Sequence, residues 1–363
     1  MARSTPLVEI HRANGAELGE EDGWIVPSHF GVPLEEYQAV RSRVGLLDMC
    51  DHTALHLTGP DRVSYLQGMV TNDVKALTPG TGLYAAVLDV SGKMLADLRV
   101  LCTEASFILL LREPLKQKVI AHLNRYLVAD DVEIEDHDGG YGMISLQGPE
   151  ARSLLGAVTS AKELPSQVHS HLLLRIGGRE IRVIRSTHTG EDGFDLLMEV
   201  HDLAPVVSVL EKAGADFSPR WIGLRAQELL RMEAGVPRYG ADMDDEKLFP
   251  ETGLEQAVSY HKGCYLGQEV VERIRSRGHV NRKLAGMALE GEAPVIRGDK
   301  IICAGKEIGR VTSSVFSPAL KRPIALGYVQ RDYLQPGTQI SVERNGQLIA
   351  GAIAPLPFHP ASP

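Results

Sequence analysis

Cysteine, positive charge and long apolar runs are all in short supply in this chain, and each shortage closes off a class of function. The four cysteines, Cys50, Cys102, Cys264 and Cys303, are widely scattered and form no Cys-x-x-Cys pair. That spacing gives no zinc site and no complete set of cluster ligands, so no bound metal is expected, and it suits a reducing compartment. Lysine and arginine number 38 against 47 aspartates and glutamates, a formal net charge of -9. A dedicated nucleic-acid binder is normally basic, so nucleic acid is not an expected partner. No apolar run approaches the roughly 18 residues that a membrane span needs, and the first ten residues lack the apolar core of a secretory signal. The expected location is cytoplasmic, with no membrane partner.

What is there is ordinary for a globular protein: 363 residues, 44% hydrophobic and 23% charged. That length exceeds what one core usually serves and predicts two or three domains. Apolar periodicity predicts a helix over Pro33–Asp48 and a strand over Thr53–Thr58, which breaks at Gly59-Pro60-Asp61 into a second helix. A hairpin follows, Tyr84–Val90 with Met94–Cys102, then the run Phe107–Leu111, a helix opened by Pro114 and a strand at Val132–Glu135. The order then restarts: a strand at Met143–Gln147 breaks at Gly148-Pro149-Glu150 into a helix. A hairpin of Leu172–Ile176 with Glu180–Ile184 follows, then a strand at Phe194–Val200 and a helix at Leu203–Lys212. We read this as an internal duplication of an α+β unit, with coincidence of common helix-start residues as the rival.

Ile222–Gly235 reads as a helix, and the polar loop Val236–Glu246 behind it is too long for a simple connector. The stretch His261–Lys283 is the most distinctive. Cys264 lies between Gly263 and Gly267, beside Lys262, and Arg273, Arg275, Arg277, Arg282 and Lys283 make a local basic tract. Lys262 near the sulfur would favour the thiolate; local physics alone fits a buried cysteine at a tight turn as well. Beyond Lys283, short strands with frequent turn residues, including Asn345-Gly346, predict an all-β C-terminal barrel.

Arg41–Asp48, Val70-Thr71-Asn72-Asp73, Thr189–Asp195, Leu230–Gly235 and Gly309–Pro318 together resemble the folate-binding superfamily of the glycine cleavage T-protein (aminomethyltransferase) and its YgfZ-type relatives, over nearly the whole length. The resemblance implies an α+β class fold: two intertwined α+β domains around a central folate cavity, then a C-terminal β-barrel. The expected boundaries are 1–52 with 142–254, 53–141 with 255–282, and 283–363. It also implies tetrahydrofolate, or a one-carbon derivative, as the cofactor.

Single residues divide the superfamily. T-proteins carry paired aspartates on the strand after the first hairpin, the first of them near the reactive folate nitrogen. Here the run is Leu95-Ala96-Asp97-Leu98, which places Ala96 at that position and Asp97 on the opposite strand face. An arginine that contacts folate is replaced by Gln227, and the glutamate that pairs with the pterin corresponds to Asp195. Lys262–Glu269 resembles the YgfZ-type motif. With Ala96, it points away from an ordinary aminomethyltransferase and towards a tetrahydrofolate-dependent accessory protein in iron–sulfur cluster assembly or repair. Such proteins support cluster enzymes such as tRNA methylthiotransferases. The expected partners are therefore a folate and iron–sulfur enzymes or their assembly proteins, with the chain acting as a monomer. The alternatives are aminomethyl transfer or folate-dependent demethylation in the same cavity, and RNA binding by the Arg273–Lys283 tract. The resemblance makes Cys264 and Lys262 the expected reactive residues, and Asp195, Gln227, Arg231, Tyr239 and Asn72 the expected folate contacts.

Overall fold

The protein is described here by a computed structural model covering residues 2–159, 161–213 and 216–359; the last four residues of the expected barrel segment lie outside the described residues, as does the Arg277 side chain. Two mixed layers and a barrel, as the sequence predicts, make up most of the chain, with a small three-stranded sheet beside them.

The first layer is a five-stranded sheet ordered Gly82–Leu88, Met94–Cys102, Phe107–Arg112, His52–Thr58, Glu133–Asp136. The second has six strands ordered His171–Ile176, Arg179–Arg185, Gly193–Glu199, Tyr141–Gln147, Gly45–Asp48, Arg220–Ile222. Their first five positions correspond: hairpin, third strand, opening strand, then an added antiparallel strand. Even the turn chemistry repeats. Gly59 (φ +97) and Gly148 (φ +131) each leave the opening strand in a left-handed conformation. A Cβ there would stand 2.2 Å from Asp131 O and 2.3 Å from Arg43 O respectively, so only glycine fits at either place. The duplication read from the sequence is a feature of the fold.

The sheets face each other. Ile108 and Leu110 of one and Ile184 and Leu197 of the other share a buried cluster with Val40, Ile222 and Leu230. Their opposite faces bury helices: Lys116–Tyr126 packs Val119 and Leu123 against Val100 and Leu109, and Leu203–Ala213 packs Val206 and Leu210 against Phe194 and Leu196. Strands covered on both faces explain the near-continuous apolar runs.

The elements depart from the sequence reading at several points. The helix opened by Pro33 ends at Ser42, and Gly45–Asp48 is a strand. A Cβ on Gly45 would lie 2.5 Å from Val40 Cγ2 and 2.6 Å from Ile222 Cγ1, so the chain passes there only without a side chain. The small sheet of Arg3–Ser4, Trp24–His29 and Glu17–Glu21 went unread. It is held to the second layer by a buried group in which Asp48 accepts from Thr5 Oγ1 at 2.5 Å and meets His11 Nε2 at 2.7 Å.

The barrel closes in the order Arg282–Leu289, Arg322–Gln330, Lys306–Ser317, Lys300–Cys303, Gln339–Arg344, Gln347–Ala354. Among the described residues no helix is long and apolar enough to cross a membrane.

Candidate active site

Where the two sheets, the small sheet and helix Leu224–Glu233 converge, they leave a hollow of about 480 Å³. That volume lies in the usual range for small-molecule sites.

Strand Met94–Cys102 supplies its central chemistry. Alternate residues of a strand face opposite sides, and here Asp97 and Arg99 face the hollow while Ala96 is buried against Leu66, Val87 and Leu109. The expectation that Ala96 stands at the catalytic position is therefore corrected. Ala96 belongs to the apolar layer under the helices, and the cavity-facing acid of the pair is Asp97. Tyr84, across the hairpin, donates its phenol hydrogen to Asp97 Oδ2 at 2.7 Å. Burial, with the Asp97 charge beside it, pushes the Tyr84 phenol well above its ordinary range, so it stays a donor.

Next to this pair lies a second charged group. Arg99 Nη1 donates to Ser186 Oγ at 2.8 Å and to Asp195, which is fully buried. His188 Nε2 lies 3.0 and 3.1 Å from the two Asp195 oxygens. Burial raises the Asp195 carboxyl, but His188 and Arg99 outweigh it and hold it well below the usual carboxylate range. Asp195 does not line the hollow; His188 and Arg99 do. The carboxylate expected to meet a pterin directly is thus taken up by two side chains that stand between it and the cavity.

The other expected folate contacts divide. Gln227, Arg231 and Tyr239 all line the hollow. Gln227 Nε2 donates to Ile222 O at 3.1 Å. Arg231 is buried among Glu228, Asp242 at 2.8 Å and Ser313 Oγ at 3.1 Å. Tyr239 donates to Met94 O at 3.2 Å and accepts from Lys118 Nζ at 3.1 Å. Asn72 lies outside the lining and acts as a latch, its amide donating to Tyr84 O at 2.9 Å and Gln256 O at 3.0 Å. Tyr84, Asp97, Arg99, His169 and His188 were not picked out as binding residues. The i, i+2 pair of Asp97 and Arg99 was the available signal, and His188 directly precedes the quoted Thr189–Asp195 motif.

Cys264 and Lys262 are not brought to the hollow. Cys264 is exposed. Lys262 Nζ donates to the carbonyls of Gln67, Val70 and Asn72, each at 2.7 Å, which uses all three of its hydrogens on backbone oxygen. Burial pushes this ammonium down to about 8. In the basic tract, Arg275 stacks over Tyr260 at 4.2 Å and pairs with Glu272 at 3.6 Å. Among the described residues no group of three or more His, Cys, Asp or Glu is placed to hold a metal ion.

Residues 7–262 match the GCVT N-terminal domain family, and residues 282–359 match the glycine cleavage T-protein C-terminal barrel domain. The chain is 34% identical to the aminomethyltransferase of Rubrobacter xylanophilus, covering 98% of this chain and 94% of that one. It is 32% identical to that of Thermus thermophilus, over 99% of each. Its fold superposes on the crystal structure of the glycine cleavage system aminomethyltransferase T from Bartonella henselae with a TM-score of 0.90 and 26% identity, over 99% of this chain and 98% of that one. These likenesses overturn the expected iron–sulfur accessory role. The full-length relatives named above are aminomethyltransferases, and the cluster-enzyme partners and the link to tRNA modification fall with it.

Proposed function

The chain belongs to the glycine cleavage T-protein family, and from that premise we propose that it is an aminomethyltransferase that passes a one-carbon unit to tetrahydrofolate. The observation that carries this reading is Asp97, a carboxylate aimed into the hollow and held there by Tyr84. Within the family, Lys262–Glu269 allies the chain with YgfZ-type members in sequence, while the chemistry is read from the hollow.

The residues present suit a reduced folate. Trp24, Val26, Leu47 and Leu110 give apolar wall for a flat heterocycle, and Asp97, Arg99, His169 and His188 converge as polar groups. Bound tetrahydrofolate would supply the amine nitrogen that accepts the one-carbon unit. Tyr84 occupies Asp97 Oδ2, which leaves Oδ1 to take the proton released at an amine in the hollow. Asp195, through Arg99 and His188, positions the facing wall. Gln227, Arg231 and Tyr239 shape the far side, and Arg231, anchored on two carboxylates, keeps its geometry without a ligand.

The test is to incubate purified protein with tetrahydrofolate and a lipoyl-bound aminomethyl donor, measuring methylene-folate and ammonia together. Wild type is expected to form both in equal amounts, and Asp97→Asn to slow the reaction by about 10²–10⁴-fold. No turnover by wild type, or full turnover by Asp97→Asn, would count against the reading.

A further inference from the structure

The three carbonyl oxygens that Lys262 Nζ meets, those of Gln67, Val70 and Asn72, lie in or just beyond the last turn of helix Arg62–Met69. Carbonyls at a helix C-terminus lack partners in a following turn and carry the negative end of the helix dipole, so a cation suits them. Here one nitrogen gathers them, over the Tyr265 ring at 5.1 Å. The chain leaving the helix is thereby gripped at both ends of Val70–Asn72.

That gripped segment borders the hairpin that supplies the hollow. Val70 bridges Val87 in antiparallel register. Thr71 N donates to Ala86 O at 3.0 Å, Ala86 N donates to Thr71 Oγ1 at 2.9 Å, and the Asn72 amide donates to Tyr84 O at 2.9 Å. Without the segment, strand Gly82–Leu88 would present these backbone groups at a bare edge. Tyr84 is also the residue whose phenol fixes Asp97 Oδ2. Direct contacts thus run from Lys262 through Asn72 and Tyr84 to Asp97, although Lys262 itself does not line the hollow.

We propose that Lys262 is a positioning residue for the aminomethyl transfer: its three N–H groups pin Val70–Asn72 to strand Gly82–Leu88 and so hold Tyr84 and Asp97 where the amine proton is taken up. The inference rests on the transferase reading above and adds what fixes the acid, and in which direction of pH the fixing fails. An ammonium has three hydrogens for three carbonyls, whereas the neutral amine has two and turns a lone pair on the third oxygen. Burial pushes Lys262 down to about 8, with the Asp73 charge favouring the ammonium and Lys75 opposing it. The Tyr265 phenol, on the ring beneath, is pushed up by burial and stays neutral. The grip therefore weakens as the pH rises through about 8.

The experiment measures kcat and KM for methylene-folate formation against pH in wild type, Lys262→Met, Lys262→Arg, Tyr84→Phe and the Lys262→Met, Tyr84→Phe double variant, with a melting transition recorded for each. Wild type is expected to lose kcat on the alkaline side with a midpoint of about 8. Lys262→Met should lower kcat by about 10–10²-fold, the cost of misplacing a reacting group by about an ångström, while KM for tetrahydrofolate stays within about twofold. Lys262→Arg, whose guanidinium keeps its charge, should retain more activity than Lys262→Met and lose the alkaline limb. In the Tyr84→Phe background the hold on Asp97 is already gone, so Lys262→Met should cost less than about threefold more. Wild-type kcat in Lys262→Met, equal losses with and without the Tyr84 phenol, or an alkaline limb that persists in Lys262→Arg would overturn the assignment. Should Lys262→Met not fold, the pH profile of Lys262→Arg decides alone. A wild type that melts cooperatively yet forms no methylene-folate is a different result: it would remove the transferase reading itself, and this inference with it.

Discussion

Asp97 and Cys264 illustrate what makes a side chain available for chemistry. Asp97 stands in a walled hollow where Tyr84 fixes one oxygen and leaves the other open, and a carboxylate so placed is pre-organised before any ligand arrives. Cys264 is exposed, and the ammonium next to it in sequence is bound to three carbonyls. Cys264→Ser is therefore expected to leave methylene-folate formation unchanged and to shift stability by no more than about 0.5 kcal/mol, as exposed substitutions do. A rate assay beside a urea melt checks both; a large loss of rate would return the thiol to the mechanism. The residue-level misreading of Ala96 has a physical origin. Period-two alternation tells which residues of Met94–Cys102 share a face, but only the packing of one sheet on the other tells which face looks into the hollow.

At the scale of elements, the strands and helices with strong apolar period were legible, and the rest failed for definite reasons. Met94–Cys102 was read to the residue. Val40, Val44 and Leu47 satisfy a helical period as well as they satisfy a buried strand, so the break after Ser42 could be set only by the contact of Gly45 with Val40 and Ile222. Arg3–Ser4 is too short and too polar to signal a strand without its partner Trp24–His29. Joints between elements were equally hidden. His171, on the edge strand of the second sheet, reaches Cys102 O in the first at 3.0 Å through Nε2, and its Nδ1 lies 2.9 Å from Arg182 Nη1. Arginine has only hydrogens to give, so Nδ1 accepts and the ring is neutral. Burial, with Arg182 beside it, pushes His171 from 6.5 down to about 4. Between those values the unfolded chain binds a proton that the folded chain does not, so stability present above pH 6.5 is lost as the pH falls towards 4. The contribution is on the order of 3 kcal/mol. Denaturant melts across that window should show a shallower slope for His171→Asn, which keeps an acceptor near Arg182 without a titrating ring. An unchanged slope would assign the acid sensitivity to other groups.

The whole molecule is two copies of one unit facing each other, with a barrel clamped against the helix that borders their hollow. The barrel was legible because turn residues punctuate its strands. Its docking was not, because the clamp joins residues far apart in sequence. An apolar cluster in which Met232 meets barrel Leu284, Val315 and Leu326 makes part of it, and two buried carboxylates the rest. Glu233 accepts from Tyr37 at 2.6 Å and Arg41 at 2.7 Å on one oxygen, and from barrel Ser317 at 2.5 Å and Ala319 N at 3.1 Å on the other. Asp242, in the polar loop after the helix, accepts from barrel Thr312 at 2.6 Å and Ser313 at 2.7 Å on Oδ1, and from Arg231 at 2.8 Å on Oδ2. Since Arg231 also lines the hollow, the joint that seats the barrel is the joint that shapes the site. Removing Asp242 strips Arg231, Thr312 and Ser313 of a shared acceptor, while Glu228 still pairs with Arg231. Asp242→Ala is therefore expected to lower unfolding free energy by about 1–3 kcal/mol and to weaken tetrahydrofolate binding as Arg231 loses one of its two anchors. Asp242→Asn, which keeps an oxygen towards Thr312 and Ser313, should hold the barrel better than it holds Arg231. In that variant urea melts should be less affected than folate titrations, and the opposite ranking would show that barrel and hollow are held by separate contacts.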